Sequence, residues 1–188
     1  MFTKLPSDKT MSTEHDVVNR ALNLVGKICK APEGKRQVAA STAIHRKLLD
    51  YFCSDVFELH KSALIAFHCC CVADGYRDLC LKKHGVDENL SQFDKYIKKA
   101  IEQYMKAYTD QNWDYYVNIC ASISGFAGIF PEKQIAFKSL IIPLIKVMGD
   151  KIDVVRRNSA VLIAKLTQNE ENKKWMQENH GTEVLLSL

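Results

Sequence analysis

The chain has 188 residues, 47% of them hydrophobic and 26% charged, a balance that supports one sizeable core and does not fit a disordered chain. The formal net charge of +4 sits at one end: residues 1–50 hold nine Lys/Arg against five Asp/Glu, whereas residues 51–188 hold seventeen of each. That excess is too shallow for the basic stripe of a nucleic-acid-binding domain, and the longest apolar runs, such as "SLIIPLI", fall far short of the roughly 20 residues that span a bilayer.

Residues 1–12, "MFTKLPSDKTMS", lack the apolar h-region of a secretory signal. They read as a flexible segment, and the expected compartment is cytoplasmic. Helical periodicity begins at residue 13. In "HDVVNRALNLVGKIC", Val17, Ala21, Leu24 and Ile28 recur at spacings of four, three and four, which is one apolar stripe of a helix. Similar stripes run through Ile65 and Cys69, through Ile119, Ile123, Ala127 and Phe130, and through Val155, Ser159, Leu162 and Leu166. No stretch alternates with period two. Breaks fall at Pro32, Gly75, Gly85, Pro131, Gly149 and Gly181, residues that start or end helices at little cost. The expected helices span 13–30, 33–53, 55–72, 74–84, 87–108, 111–129, 131–149, 151–168, 170–179 and 182–188, and the fold class is all-α.

The chain repeats itself. "LVGKICKAPEGKRQV" from Leu24 lies over "LIAKLTQNEENKKWM" from Leu162; a further copy, "IAFHCCCVADGYRDL", starts at Ile65, and a weaker one, "ISGFAGIFPEKQIAF", at Ile123, where Gly125 and Pro131 match Gly26 and Pro32. The steps of 41, 58 and 39 residues imply an insertion in the middle step, placed in a lengthened helix around Val86 to Tyr108. A period of about 40 residues is the spacing of stacked helical units that bury their apolar faces only against one another.

These segments resemble armadillo and HEAT repeats. In "SLIIPLIKVMGDKIDVVRRNSAVLIAKLTQNEENKKWMQENHGTEVLLSL", Ile142-Pro143 opens a second helix, Asp150 lies in the turn, Val155-Arg156 and Ala160 lie in a third helix, and Asn172 and Gly181 lie at the following turns. Residues 13–72 match nearly as well, and residues 86–118 depart from the pattern. The resemblance implies a right-handed α-solenoid over 13–188, with about four units: a partial unit at 13–30, then 31–72, 73–129 with its insertion near 86–108, 130–168, and a partial unit at 169–188. Third helices would be those at 13–30, 55–72, 111–129 and 151–168. Leu185, Leu186 and Leu188 would then lack a covering unit, so further repeats or a partner surface are expected at the C-terminal end.

"HCCC" at His68–Cys71 invites a metal or redox reading. Successive helical residues point about 100° apart, so three adjacent thiolates cannot converge on one ion. In the repeat register Cys69 takes a core slot, and Cys70 and Cys71 take flanking or exposed positions. Two narrower readings stay open: a site from His68, Cys71 and Cys80, and a reactive thiol at Cys70 or Cys71 near Arg77 or Lys82. Inert, reduced thiols are the simplest account of seven cysteines. Nucleotide-binding and hydrolase motifs are absent from the sequence, so no enzyme activity, catalytic residue, metal or cofactor is expected. Trp175 is expected in or near the core, and the Trp113, Tyr115 and Tyr116 cluster is left open between core and binding.

The resemblance also implies a groove. Armadillo proteins of the nuclear-import class hold a basic peptide with a Trp and, four residues later, an Asn on each third helix. The matching positions here are Asn23, Leu64, Ser122 and Val161 for the Trp, and Lys27, His68, Phe126 and Lys165 for the Asn. The clamp is missing, and the lysines and histidine favour an extended acidic protein segment instead. The expected role is therefore a non-enzymatic protein-binding scaffold or co-chaperone-like adaptor. The alternatives are a nucleic-acid contact through Lys30, Lys35, Arg36, Arg46 and Lys47, together with Lys27, or a structural piece of a larger assembly.

Overall fold

The computed structural model describes residues 13–83, 93–149 and 151–186, and among these every regular element is helical. First come α1 (Thr13–Ile28), α2 (Pro32–Ala40), α3 (Thr42–Phe52) and α4 (Phe57–Cys71), then a short α5 (Tyr76–Asp78) that runs into a π-helical segment (Leu79–Lys83). They are followed by α6 (Asp94–Thr109), α7 (Trp113–Ile129), a 3₁₀ segment (Pro131–Leu140), α8 (Ile141–Val147), α9 (Asp153–Leu166), α10 (Glu170–Glu178) and α11 (Gly181–Leu186). No described helix is long and apolar enough to cross a membrane.

Side chains with the right chemistry mark the helix starts. Pro32 and Pro131 occupy first turns, where a missing N–H leaves nothing unsatisfied. The Asn112 side chain accepts from the Tyr115 N–H at 3.3 Å, and Asn169 accepts from the N–H groups of Glu171 and Asn172, both at 3.1 Å. Ser41, extended at φ −86° and ψ 104°, caps α3. It thereby divides the single helix expected over 33–53. The helix expected over 131–149 is also divided, between the 3₁₀ segment and α8. Gly75 holds φ at +71°, a left-handed turn between α4 and α5 that a side chain would disfavour.

The long helices form a row in which α1 packs on α4, α4 on α7 and α7 on α9, while α3, α6 and α8 pack on α4, α7 and α9 respectively. Thus α6 stands to α7 as α3 stands to α4. The segment expected as an insertion supplies this supporting helix; its residues 86–92 lie outside the described residues. The same holds for residues 1–12, Gly85, Asp150 and Leu188, and the side chains of Leu185 and Leu186 are not among those described.

The core is aromatic along its length. Tyr96 lies 4.5 Å from Phe52, 4.9 Å from Phe67 and 4.7 Å from Phe126 between ring centroids, and Phe126 continues to Phe93 at 5.0 Å. Buried phenols find partners: Tyr96 Oη bonds Ser122 Oγ at 3.1 Å, Tyr104 Oη bonds Tyr116 Oη at 2.9 Å, and Tyr116 Oη bonds Ser159 Oγ at 2.8 Å. These bonds tie α6, α7 and α9 together and avoid the penalty of an unpaired buried hydroxyl. Tyr115 and Tyr116 belong to this core, with Trp113 half-buried against Tyr116.

The stripes of α7 and α9 are buried as their spacing predicts: Ile119, Ile123, Ala127 and Phe130, and Val155, Ser159, Leu162 and Leu166, are fully enclosed. Those of α1 and α4 are not. Val17, Leu24 and Ile28 are 62, 57 and 43% exposed, and Ile65 is 37% exposed. α1 instead turns Leu22 and the following Cys29 inward, with Val18 and Val25 half-buried. The reason is position: α1 has the row on one side only, so its apolar residues outnumber the neighbours available to cover them.

Candidate functional site

A constant spacing links the burial patterns of the two central helices. Leu59, His60, Ala63, Leu64, Ala66, Phe67, Cys70 and Cys71 of α4 are buried, and fifty-six positions later so are Tyr115, Tyr116, Ile119, Cys120, Ser122, Ile123, Phe126 and Ala127 of α7. The repeat copies that begin at Ile65 and Ile123 lie 58 apart instead, a spacing set by the match of Gly125 and Pro131 to Gly26 and Pro32. A slip of two residues turns a helix by about 200°, but Leu64 and His68 meet buried residues at either spacing, Cys120 and Ser124 or Ser122 and Phe126, so the expected groove positions on α7 fall on its inner side in both registers. Ser122 and Phe126 have no exposed surface: Ser122 is held by Tyr96, and Phe126 lies among Phe93, Tyr96, Phe130 and Phe137. Leu64 is likewise fully buried. These three are core residues and are removed from the groove.

The remaining expected positions lie along one open face of the row. On α1, Asn23 and Lys27 are exposed. Ser62 Oγ of α4 donates to Asn19 Oδ1 at 2.6 Å, with Asn23 Oδ1 at 3.4 Å, and Ile65 lies beside Gly26. Next, the His68 ring fits against Gly125 of α7, where an added Cβ would sit 3.1 Å from His68 Nδ1. The Lys165 chain of α9 then passes Gly128, with Val161 exposed one turn earlier on α9. Lys61, Ile65, Ala121, Gly125 and Gly128 therefore join Asn23, Lys27, Val161 and Lys165 at the open face. Spacings of four and three place them on one side of each helix in the sequence: Lys61 and Ile65 on α4, and Ala121, Gly125 and Gly128 on α7.

His68 contributes less charge than the sequence suggests. Burial holds its imidazole below the ordinary histidine range, outweighing the Ala121 carbonyl that favours protonation, and nearby Lys35 pushes the same way as burial. It is a neutral ring wedged between α4 and α7, not a third cation between Lys27 and Lys165.

The cysteines are placed opposite to the expected order: Cys70 and Cys71 are buried, and Cys69 is half-exposed. The added surface of α4, covered by α1 on one side and α7 on the other, encloses positions that flank a simple stripe. Burial drives the Cys71 thiol well above its usual range and pushes Cys80 up to about 12, so neither supplies the thiolate that a nucleophile or a metal ligand requires. Contact with Cys69 lowers the Cys29 thiol, but contact with Cys70 and burial outweigh it and push that thiol up to about 11. The same contact, a hydrogen bond donated by the Cys69 thiol to Cys29, joins burial in raising Cys69. Among the described residues no group of three or more His, Cys, Asp or Glu side chains is placed to hold a metal ion.

The alternative basic residues are distributed over three elements. Lys30 follows α1; Lys35 and Arg36 lie on α2, with Arg36 paired to Glu33 at 3.6 Å. Arg46 and Lys47 lie on α3, but Arg46 lines a cleft with Asp50, Cys53 and Lys95, whereas Lys47 lines a different cleft beside α1. Trp175 is half-buried under the Lys138 ammonium, 4.7 Å from the ring centroid. No protein-family model matches the chain, and no curated protein is significantly similar to it in sequence.

Proposed function

We propose that the chain is a right-handed α-solenoid of armadillo/HEAT type, with about four helical units and partial units at its ends, and that it acts as a non-enzymatic protein-binding scaffold or adaptor in the cytoplasm. The observation that carries this reading is the open face running from Asn23 through Ile65 and Gly125 to Lys165, to which α1, α4, α7 and α9 all contribute. Repeated units that cover one another along a row leave such a face accessible over several turns, long enough for an extended segment. Its chemistry selects the occupant. Lys27 and Lys165 offer positive charge at the two ends, while Ile65 and Val161 offer apolar contact at 37 and 51% exposure. An extended acidic segment with aliphatic side chains between its acids meets both.

Individual exposed charges contribute about 0.2–1 kcal/mol each, so the effect is read from a double variant. Selection of short random peptides on the wild-type chain should enrich acidic sequences, and their binding should weaken in Lys27→Glu/Lys165→Glu, more at low salt than at high salt. Binding that survives this change and is abolished by Arg36→Glu/Arg46→Glu would move the site to the basic residues of α2 and α3. A selection that enriches nothing acidic would end the proposal.

A further inference from the structure

The apolar stripe of α1 points out of the molecule. Val17, Leu24 and Ile28 are 62, 57 and 43% exposed, and Ala21 between them is exposed as well. Beside this ridge, between α1 and α3, opens a cleft of about 370 Å³ whose walls include Leu22, Val25, Ile44, Leu48 and Tyr51, with Lys47 among its lining residues. A ridge and a cleft of like chemistry therefore adjoin on one face, and α1 contributes to both.

We propose that this face is the two-fold interface of a homodimer, in which α1 of each copy lies antiparallel to α1 of the other and its ridge enters the other copy's cleft. Self-complementarity is what a two-fold contact demands: whatever patch one copy presents must fit itself. A single antiparallel contact would cover Val17, Leu24 and Ile28 of both copies and fill both clefts. The charges of α1 favour the same orientation. Glu14 and Asp16 stand in its first turn, Asp16 paired with Arg20 at 2.8 Å, which leaves Glu14 as the unneutralised acid there among the described residues, while Lys27 stands in its last turn and Lys30 just beyond. Antiparallel pairing sets the acidic end of one copy beside the basic end of the other at both ends of the contact, whereas parallel pairing sets like charges together. The interface lies at the end of the row; it shares Lys27 with the open face, and its apolar ridge and cleft do not rest on the reading of that face.

Sedimentation equilibrium of the full chain without any partner tests the inference. The wild type should show a monomer–dimer equilibrium between micromolar and near-millimolar concentration. Leu24→Glu should raise the dimer Kd by roughly ten- to a hundredfold, because the burial of one leucine is lost in each copy; the residue is exposed in the monomer, so circular dichroism should be unchanged. A charge exchange tests orientation. Glu14→Lys/Asp16→Lys and Lys27→Glu/Lys30→Glu should each dimerise more weakly than wild type, and an equimolar mixture should form a heterodimer more tightly than either forms a homodimer. A wild type that stays monomeric throughout, a Leu24→Glu chain that dimerises as wild type does, charge variants that each dimerise as tightly as wild type, as parallel pairing would give, or a mixture with no gain over its components would each overturn the proposal. In the first case the occupant of the cleft would be a helix of another protein.

Discussion

α1 and α4 correspond over forty-one positions, Leu22 with Ala63 and Cys29 with Cys70, yet α4 buries nine of its fifteen residues and α1, of sixteen, only Leu22. α4 has α1 on one flank, α7 on the other and α3 behind it; α1 meets α4 and touches α2. Periodicity identifies a stripe, but the number of neighbours decides how much of a helix is enclosed. The composition of α4 already carries this information, since apolar or small residues extend around most of its circumference from Leu59 to Cys71, as expected for a helix covered on several sides. α1 flanks its stripe with Arg20, Asn23 and Lys27, and has one well-covered side.

Removal of a ring from the middle of the row should have the largest effect. Phe67 is fully buried, 4.9 Å from Tyr96 and 6.3 Å from both Phe52 and Tyr76 between ring centroids. Phe67→Ala should lower unfolding free energy by about 3–5 kcal/mol, measured by urea titration. A loss under about 1 kcal/mol would mean that α4 is not enclosed as described.

The next test concerns how closely the helices approach on the two flanks of α7. A Cβ at Gly125 would lie 3.1 Å from His68 Nδ1 and 3.3 Å from Cys71 Cβ, whereas at Gly128 it would meet only the flexible Lys165 chain at 3.8 Å. Gly125→Val should therefore destabilise by about 1–3 kcal/mol through overpacking. Gly128→Ala should be neutral or stabilise by up to about 1 kcal/mol through helix propensity. Equal effects at the two sites would show that α4 and α7 are not in close contact there.

Much of the fold is legible in the sequence, and the errors share a cause. Helix existence, the all-α class and the inward faces of α7 and α9 follow from spacing, and on α9 Arg156, Asn158 and Lys165 flank the stripe. The break at Ser41 is missed because "VAASTAIH" is apolar on both sides of the cap. The groove positions expected at Leu64, Ser122 and Phe126 are core positions because α4 and α7 are each covered on both flanks, which encloses positions that a single stripe would leave open. Glycine here reports local closeness: Gly125 accommodates His68, while Gly26 adjoins Ile65. Positions chosen by close approach to different partners do not share a register.

A smaller effect comes from two imidazoles enclosed by the row. Burial depresses the His60 pKa, outweighing the bond from its Nδ1 to the Phe52 carbonyl, and burial likewise depresses His68. In the unfolded chain both titrate near the ordinary value of about 6.5. As pH falls below that value, the unfolded chain takes up protons that the folded chain refuses until its own lower pKa is reached, so stability is lost across this window. It is fully present above it. The slope should not exceed about 1.4 kcal/mol per pH unit for each histidine. His60→Gln should flatten the decline measured by urea titration between neutral and mildly acidic pH, and an unchanged slope would remove His60 as its source.

The smallest expected change tests the contrast between α1 and α4 most directly. Leu24 belongs to the stripe that spacing marks as apolar, and it is 57% exposed; Leu64 falls at a position expected in the groove, and it is fully buried. The same substitution at both leucines removes the same atoms, so any difference measures enclosure. Leu64→Ala should cost about 2–5 kcal/mol, since it loses transfer free energy and leaves a cavity. Leu24→Ala withdraws side-chain surface that water already reaches, and alanine slightly favours the helix. Its effect on monomer stability should lie within about ±0.5 kcal/mol, measured at a dilution where self-association does not contribute. If Leu24→Ala costs as much as Leu64→Ala under those conditions, the outer side of α1 is covered within the monomer, and both its exposed ridge and the dimer contact built on it would have to be abandoned.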